Sequence, residues 1–385
     1  MTAGLLLVQE LLLRWVFPLP EATHFNRILY STVVVTEELK EGVQIANRSF
    51  VWASDPDGIE SVQRLNLYGF RDRTWSVRPD PGRTRVMFVG DSFVEGLAVP
   101  EDQTLPRSFE RKAAAAGLGL EVMNLGVAAA DLHDYFRLMR DGVPLFRPRH
   151  LLLLLYANDL PGRPFDRSWL EGGPRPEFSS PIVPRAVAVV GRLLHGKTVP
   201  KRWRGAPFPF LGAVPDPGNP WSRPEWVERF APFVSEPIAS AMRAGRFNPH
   251  VVNEDLIYRE HLVKPCDPGE HLAALQKFLS ANEARLFLIY LPSRGQVSDR
   301  YGPFQSEYSV TLNVPSLKGE RFQQHAAALL RTCAHLKIPF LDLTPSMRSA
   351  EDQGTPLYWD YDEHLRPAGT AHVSQTIFTW WQSQS

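Results

Sequence analysis

The chain has little cysteine and no excess of charge of either sign. The first feature argues against a Cys/His zinc site, and the second argues against binding of nucleic acid. Cys266 and Cys333 are the only cysteines among its 385 residues, and no Cys/His spacing of the kind that binds zinc is present. Two ordinary buried thiols are expected, with a single disulfide in an oxidising compartment as the alternative. Lys and Arg number 42, as do Asp and Glu. Because no basic run stands out from this balance, binding of nucleic acid is disfavoured.

The chain also lacks a hydrophobic run long enough to span a membrane. Residues 4–17 are rich in leucine, but Gln9, Glu10 and Arg14 interrupt them and Pro18 ends them, whereas a spanning helix needs about 20 largely apolar residues. The positive start and small-residue end of a secretory signal are missing too. We therefore expect an amphipathic helix that either packs on the protein or lies at a membrane surface, which leaves membrane association open.

What the chain does contain is typical of a globular α/β protein with additions. A hydrophobic fraction of 44% permits a sizeable core, and 385 residues are many for one α/β domain but few for two. From 161 to 260 prolines become frequent, with four tryptophans among them. We divide the chain into an accessory segment at 1–80, a core at 81–160 and 261–385, and an insertion at 161–260. The insertion is either a substrate wall or lid, or a surface excursion packed on the core.

Strand-like apolar runs alternate with helix-forming segments through the core. Strands are predicted at 86–89, 120–125, 151–156, 285–291 and 338–343, and helices at 105–115, 131–140, 271–284, 321–336 and 367–381. The insertion adds two short helical patterns, at 185–194 and 226–246. Such alternation indicates βαβ units around a parallel sheet of about five strands.

The most informative stretch is 85–93, in which apolar residues run straight into Gly90, Asp91 and Ser92. An apolar run cut off by glycine predicts a buried strand that ends in a sharp turn. A hydroxyl at that turn stands at the carboxyl edge of the sheet, where open α/β folds hold their ligands, so Ser92 is a candidate nucleophile. The Gly-Asp-Ser tripeptide alone is weak evidence for a nucleophile, since it arises by chance in roughly one chain in ten of this length. Asp91, like Asp159 after a later strand, is expected to hold its turn by local hydrogen bonds.

Three further blocks follow in order: Asn124-Leu125-Gly126, Tyr156-Ala157-Asn158-Asp159 and Asp362-Glu363-His364. With them the sequence resembles the SGNH (GDSL) hydrolase superfamily, whose blocks are Ser, Gly, Asn and His in that order. The resemblance covers about 84–160 and 270–380, and 66–72 also looks like the lead-in of many bacterial members.

The resemblance implies a three-layer α/β/α flavodoxin-like sandwich and a serine esterase that uses no cofactor and no metal. In similar bacterial proteins a membrane anchor often precedes a segment like 4–17, so a longer reading frame upstream is an alternative to the sequence as it stands. This similarity favours the bacterial cell envelope over the cytoplasm.

A serine hydroxyl becomes a good nucleophile when a base takes its proton and a third group orients that base. By resemblance His364 is the base. The common family pattern places an Asp three residues before the His, but Tyr361 stands there in this chain. Asp362 is therefore our first choice for the orienting acid, and Asp360 is the second. An Asp-x-His spacing is similar to the branch that includes alginate O-acetyltransferase-like enzymes.

The resemblance also assigns the donors that would stabilise an oxyanion. They are the backbone N–H of Ser92, the backbone N–H of Gly126 and the side-chain amide of Asn158. The family's Gly-x-Asn-Asp block has Tyr156 at its glycine position, which changes the block without removing the amide donor.

Taken together, these residues predict an esterase that hydrolyses an acyl ester, such as an O-acetyl group on a carbohydrate, through an acyl-enzyme. Two alternatives stay open. One is a polysaccharide O-acetyltransferase that uses the same triad, and the other is a non-catalytic carbohydrate-binding member of the superfamily.

Overall fold

The computed structural model describes residues 49–54, 59–66, 68–128, 130–160, 166, 169–170, 228, 231–233, 236–244, 258, 260–301, 316–360 and 362–384. The predicted helices at 4–17 and 185–194 lie outside the described residues. Of the helical pattern predicted at 226–246, the structure describes a short 3₁₀ turn at Ala231–Phe233 and a helix at Glu236–Arg243.

Five parallel strands form the central sheet, and a separate hairpin precedes them. The hairpin pairs β1 (Ser49–Ser54) with β2 (Ile59–Arg64) in antiparallel fashion. The sheet contains β3 (Thr84–Gly90), β4 (Leu120–Gly126), β5 (His150–Tyr156), β6 (Arg285–Leu291) and β7 (Phe340–Asp342). Its order is β4-β3-β5-β6-β7, and every pair is parallel. The predicted five-stranded parallel sheet is confirmed.

The described helices are α1 (Ser92–Glu95), α2 (Leu105–Ala115), α3 (Leu132–Phe146), α4 (Glu236–Arg243), α5 (Gly269–Ala281), α6 (Arg294–Val297), α7 (Gln324–Leu336), α8 (Thr344–Asp352) and α9 (Pro367–Gln384). Helices cover both faces of the sheet. On one face α2 packs against α9, where the Phe109 ring lies 5.4 Å from that of Phe378. On the other, α3 contacts α5 through Phe136 and His271, whose ring centroids are 6.2 Å apart. The arrangement is the expected three-layer sandwich.

The central strand β5 shows why this sheet is buried on both faces. Its five consecutive leucines are all fully buried, which is typical of strands in parallel sheets covered by helices. The neighbouring strand β3 is equally apolar from Val86 to Val89. Such uninterrupted runs predicted these strands from the sequence.

The strand order reverses between β3 and β5, and this position fixes where a ligand can bind. The chain runs from β3 out to β4, then returns past β3 to β5. In open α/β sheets such a switch leaves a crevice outside the carboxyl ends of the two strands, because their connections leave in opposite directions. Ser92 follows β3 and Asn158 follows β5, so both lie at this crevice.

Some element boundaries differ from the predictions. α2 and β6 match at both ends, but α3 continues to Phe146, past Gly142 and Pro144. Its buried face includes Val143 and Phe146, and burial of these residues outweighs the local cost of Gly and Pro. The short helices α1 and α6 and the polar helix α8 were not predicted, since too few apolar residues recur in them to give a periodic signal.

The structure also answers two expectations drawn from composition. Both cysteines are free, with Cys333 buried and Cys266 partly buried, in line with two ordinary thiols. Among the helices that the structure describes, none combines the length and the apolar character needed to cross a bilayer.

Candidate active site

Ser92 lies on a sharp turn between β3 and α1. The side chain of Asp91 caps this helix by accepting a hydrogen bond from the Phe93 N–H at 2.9 Å, so Asp91 holds the turn as expected. Ser92 is the first residue of α1, and N–H groups in a first helical turn have no intrahelical acceptor. The turn therefore places a hydroxyl and a backbone donor of the same residue at the carboxyl edge of the sheet.

Gly126 supports this turn by packing, a role that the sequence did not predict. A Cβ built on Gly126 would lie 2.0 Å from the backbone nitrogen of Glu95 and 2.5 Å from the carbonyl carbon of Val94. The N–H of Gly126 already donates to the side-chain oxygen of Asn124 at 2.9 Å. Gly126 thus lets α1 pack directly on β4, and its role as an oxyanion donor stays a prediction. Close packing of α1 and close approach of a ligand both favour a residue without a Cβ, so the sequence could not distinguish them.

The turn after β5 carries the other predicted amide donor. Asp159 holds this turn, because its carboxylate accepts from the Tyr156 N–H at 2.7 Å and from the Tyr135 hydroxyl at 3.1 Å. Burial and the nearby charge of Asp91 raise the pKa of Asp159 well above its ordinary value. Asn158 projects from this turn as an exposed residue at the end of β5.

His364 is paired with Asp362. Its Nδ1 lies 2.6 Å from Asp362 Oδ1, and the same oxygen accepts from the His364 backbone N–H at 2.8 Å. If Nδ1 carries the proton of this contact, the lone pair is on Nε2, as a general base requires. Asp360 instead pairs with Arg366 at 2.6 Å and with Arg300 at 3.0 Å. Of the two candidate acids, the structure brings Asp362 to the imidazole.

Contacts of Phe93 bring the serine turn and the histidine loop together. The Phe93 ring lies 5.1 Å from the His364 ring and 4.2 Å from the Tyr156 ring, measured between centroids. Asp91 and His364 are also close enough for each to alter the pKa of the other. Phe93, the residue after Ser92, therefore contacts His364, although Ser92 and His364 lie far apart in the sequence.

The charges in this cluster shift several pKa values. Burial alone would lower the pKa of His364, but the charges of Asp362, Glu363 and Asp91 outweigh it and raise the pKa to about 9. Burial raises the pKa of Asp91 to about 7. Burial acts in the same direction on Asp362, yet the charge and hydrogen bonds of His364 prevail and lower its pKa. Asp362 is therefore suited to remain ionised beside an imidazolium.

The lead-in at 66–72 makes hydrogen bonds to the segment that follows β3 and to β4 itself. The buried guanidinium of Arg71 donates to the carbonyl oxygens of Gly96 and, at 2.7 Å, Val99. Asp72 accepts from the Asn124 N–H at 2.9 Å. This part of the predicted accessory segment thus contacts the chain directly after Ser92.

Sequence reasoning missed other residues of the site. Glu363 is buried beside His364, and its carboxylate accepts from the hydroxyl of Tyr258 and, at 3.5 Å, from that of Tyr156. Arg294 donates to the Asp360 carbonyl at 2.8 Å. The place of Glu363 inside the Asp-Glu-His block was a signal for it. Nothing in the proline-rich stretch marked Tyr258.

Among the described residues, one group has the spacing of a metal site. Ligand atoms of Asp131, His133 and Asp134 lie within 4.8 Å of one another. Asp131 and Asp134 already form the reciprocal capping box at the start of α3. That role accounts for the two carboxylates without a metal.

Comparison with known proteins gives similar folds at low identity. No family model matches the chain, and no curated protein matches its sequence. Similar solved structures include the acetyl xylan esterase AlAXEase (11% identity, 77% of this chain and 98% of that one, TM-score 0.37). A lipase/acylhydrolase from Enterococcus faecalis is 13% identical (77% and 96%, TM-score 0.36). A catalytic mutant of an acetylxylan esterase from Geobacillus stearothermophilus is 11% identical (77% and 93%, TM-score 0.37). At these values the likenesses carry no argument about activity.

Proposed function

We propose that this chain is a serine esterase of the SGNH kind that hydrolyses an acyl ester through an acyl-enzyme on Ser92. The observation that carries the proposal is the 2.6 Å contact between His364 Nδ1 and Asp362 Oδ1, on a loop that packs against Phe93. A serine on a strand-to-helix turn and an imidazole oriented by a buried carboxylate are the parts that acyl transfer needs.

In the first half-reaction Ser92 Oγ attacks the ester carbonyl carbon while His364 Nε2 takes the hydroxyl proton. The carbonyl oxygen becomes an oxyanion, for which the Ser92 N–H and the Asn158 amide are the proposed donors. When the tetrahedral intermediate collapses, the C–O bond to the leaving alcohol breaks and the imidazolium returns its proton to that alcohol. Asp362 stabilises the imidazolium while it exists.

The second half-reaction repeats these steps with water. His364 removes a proton from water, whose oxygen attacks the acyl carbon; the bond to Ser92 Oγ then breaks while the imidazolium returns its proton to Oγ. The products are a carboxylic acid and the regenerated serine. A hydroxyl acceptor in place of water would give transfer instead of hydrolysis.

Labelling with a fluorophosphonate probe tests the proposal. The probe should modify Ser92, as located by mass mapping, and Ser92→Ala should abolish both labelling and hydrolysis of an activated acetyl ester, with a rate loss of at least about 10³. Ser108→Ala is a matched control, since Ser108 is another buried helical serine. Label on a different residue, or full hydrolysis by Ser92→Ala, would overturn the proposal.

A further inference from the structure

Glu363 is a buried carboxylate within the site that the proposed triad does not use. It is 7% exposed and lies between Asp362 and His364 in the chain. A buried carboxylate is costly unless it is hydrogen-bonded. Two tyrosine hydroxyls supply such bonds: Tyr258 donates to Oε2, and Tyr156 donates to the same oxygen at 3.5 Å.

These tyrosines connect Glu363 to the serine turn. The Tyr258 and Tyr156 rings meet edge to face with centroids 5.8 Å apart. Tyr156 in turn lies 4.2 Å from Phe93, and Phe93 lies 5.1 Å from His364. The contacts therefore run from Glu363 through Tyr156 and Phe93 to His364, which follows Glu363 in the chain. They include Phe93, the residue after Ser92.

These contacts also join parts of the chain that are distant in sequence. Tyr156 ends β5, Phe93 belongs to α1, and Tyr258 comes from the stretch at 161–260 that the sequence marks as an insertion. Through the Tyr258 hydroxyl, this stretch contacts Glu363 on the histidine loop.

Several charged or titratable groups surround Glu363. On its own loop are Asp362 and His364, and from other elements come Tyr156, Tyr258, Arg294 and Asp91. Burial raises the pKa of Glu363, and the charges of His364 and Arg294 act against that rise. In its ionised form Glu363 is one of the carboxylates that favour the protonated state of His364.

We propose that Glu363, held by Tyr258 and Tyr156, is a positioning residue that fixes the His364 ring against the Ser92 turn and places a negative charge beside it. The inference rests on the proposed esterase function. It assigns Glu363 two separable effects, one from its charge and one from its hydrogen bond to Tyr258.

Two variants separate these effects. Glu363→Gln keeps an acceptor for the Tyr258 hydroxyl but removes the charge, so the acid limb of the kcat/KM profile should move to lower pH by about one unit. Tyr258→Phe keeps the charge but removes the hydrogen bond, so kcat should fall about tenfold with KM little changed.

Glu351 provides a matched control. Its carboxylate also accepts from a tyrosine hydroxyl, that of Tyr301, and also from the Leu357 N–H at 2.6 Å. It is not among the groups that raise the pKa of His364. Glu351→Gln should therefore leave the pH profile in place.

The outcomes separate the two proposals. Failure of the wild-type protein to take a fluorophosphonate label at Ser92 would overturn the esterase function itself. If the wild type is labelled, an unshifted profile in Glu363→Gln, or an unchanged kcat in Tyr258→Phe, overturns the role of Glu363 alone. Circular dichroism spectra matching the wild type show that the variants are folded.

Discussion

One oxygen of Asp362 makes two contacts with the same residue, because Oδ1 meets both the backbone N–H and the ring Nδ1 of His364. This arrangement suits a spacing of two residues, since a short Asx-type turn brings the carboxylate back over its own loop. Asp360, two residues earlier, faces outward to the guanidinium groups of Arg366 and Arg300. The side chains of the two acids thus have different electrostatic roles.

Exchange of each acid for its amide should reveal this difference. Asp362→Asn leaves the shape but cannot stabilise the imidazolium, so kcat should drop by about 10³ to 10⁴. Asp360→Asn weakens partly exposed ion pairs and should change kcat by less than about threefold. Steady-state hydrolysis of an activated ester measures both. Full activity in Asp362→Asn would show that another group orients the base.

The pH dependence of activity and stability follows from the raised pKa of His364. Because the pKa rises from 6.5 to about 9 in the folded protein, kcat/KM should increase with pH through about 9, as the neutral base forms.

The same shift in the pKa of His364 favours the folded state while His364 is protonated. That contribution is complete below about pH 6.5 and is lost as the pH rises through about 9. A rate profile and urea unfolding at pH 6 and 9.5 measure both effects, and a rate that is flat from pH 7 to 10 would contradict them.

The strand–turn–helix unit around Ser92 depends on a close approach between elements. Gly90 and Gly126 are paired in the register of β3 with β4, so both strands end in glycine at the same level. The backbone of α1 occupies the space that a side chain on Gly126 would need. The position of the serine hydroxyl is therefore set by packing on β4 as well as by the cap of Asp91.

Gly126→Ala should disturb this unit. The new Cβ meets backbone atoms, which cannot swing away as a flexible side chain could, so α1 has to shift. We expect a loss of about 1–3 kcal/mol in the free energy of unfolding and a fall in kcat of about 10². Gly119→Ala is the control, because its Cβ would meet only the Gly82 carbonyl oxygen at 3.5 Å. Equal urea midpoints for the two variants would show that α1 is not tightly packed there.

Long apolar elements could be predicted from the sequence, and short polar ones could not. The leucines of β5 and the block of Ser92 each carry a strong local pattern. The Asp-x-His spacing favoured Asp362 over Asp360 in the sequence, and the contact with His364 agrees with it, whereas the use of the Gly126 N–H by Asn124 depends on local backbone geometry that the order of residues does not specify. Tyr258 reaches the site by tertiary packing alone, so no local pattern could reveal its contact with Glu363.

The two ends of the sheet carry different polar residues: the proposed catalytic residues lie at one end, and a buried ion pair lies near the other. The proposed catalytic residues lie at the carboxyl ends of β3 and β5, at the switch in strand order. Near the amino ends of β3 and β4, Arg85 and Glu121 are paired in register and form a buried ion pair of 2.9 Å. Arg85 also donates to the carbonyl oxygens of Phe146 and Val77, at 2.7 and 2.9 Å, and so ties the end of α3 to the sheet.

Removal of the carboxylate at this distant end should lower stability without altering the chemistry. Glu121→Gln leaves the buried guanidinium of Arg85 without its counter-charge, and breaking such a pair costs about 3–5 kcal/mol in free energy of unfolding. Because Glu121 lies near the opposite end of β4 from Gly126, kcat at 25 °C should stay within about twofold of the wild type. The control is Glu260→Gln, which removes an exposed ion pair with Lys264 at 3.0 Å and should cost less than about 1 kcal/mol. Urea unfolding and ester hydrolysis measure the two quantities. A large fall in kcat for folded Glu121→Gln would show that the two ends of the sheet are coupled and not independent.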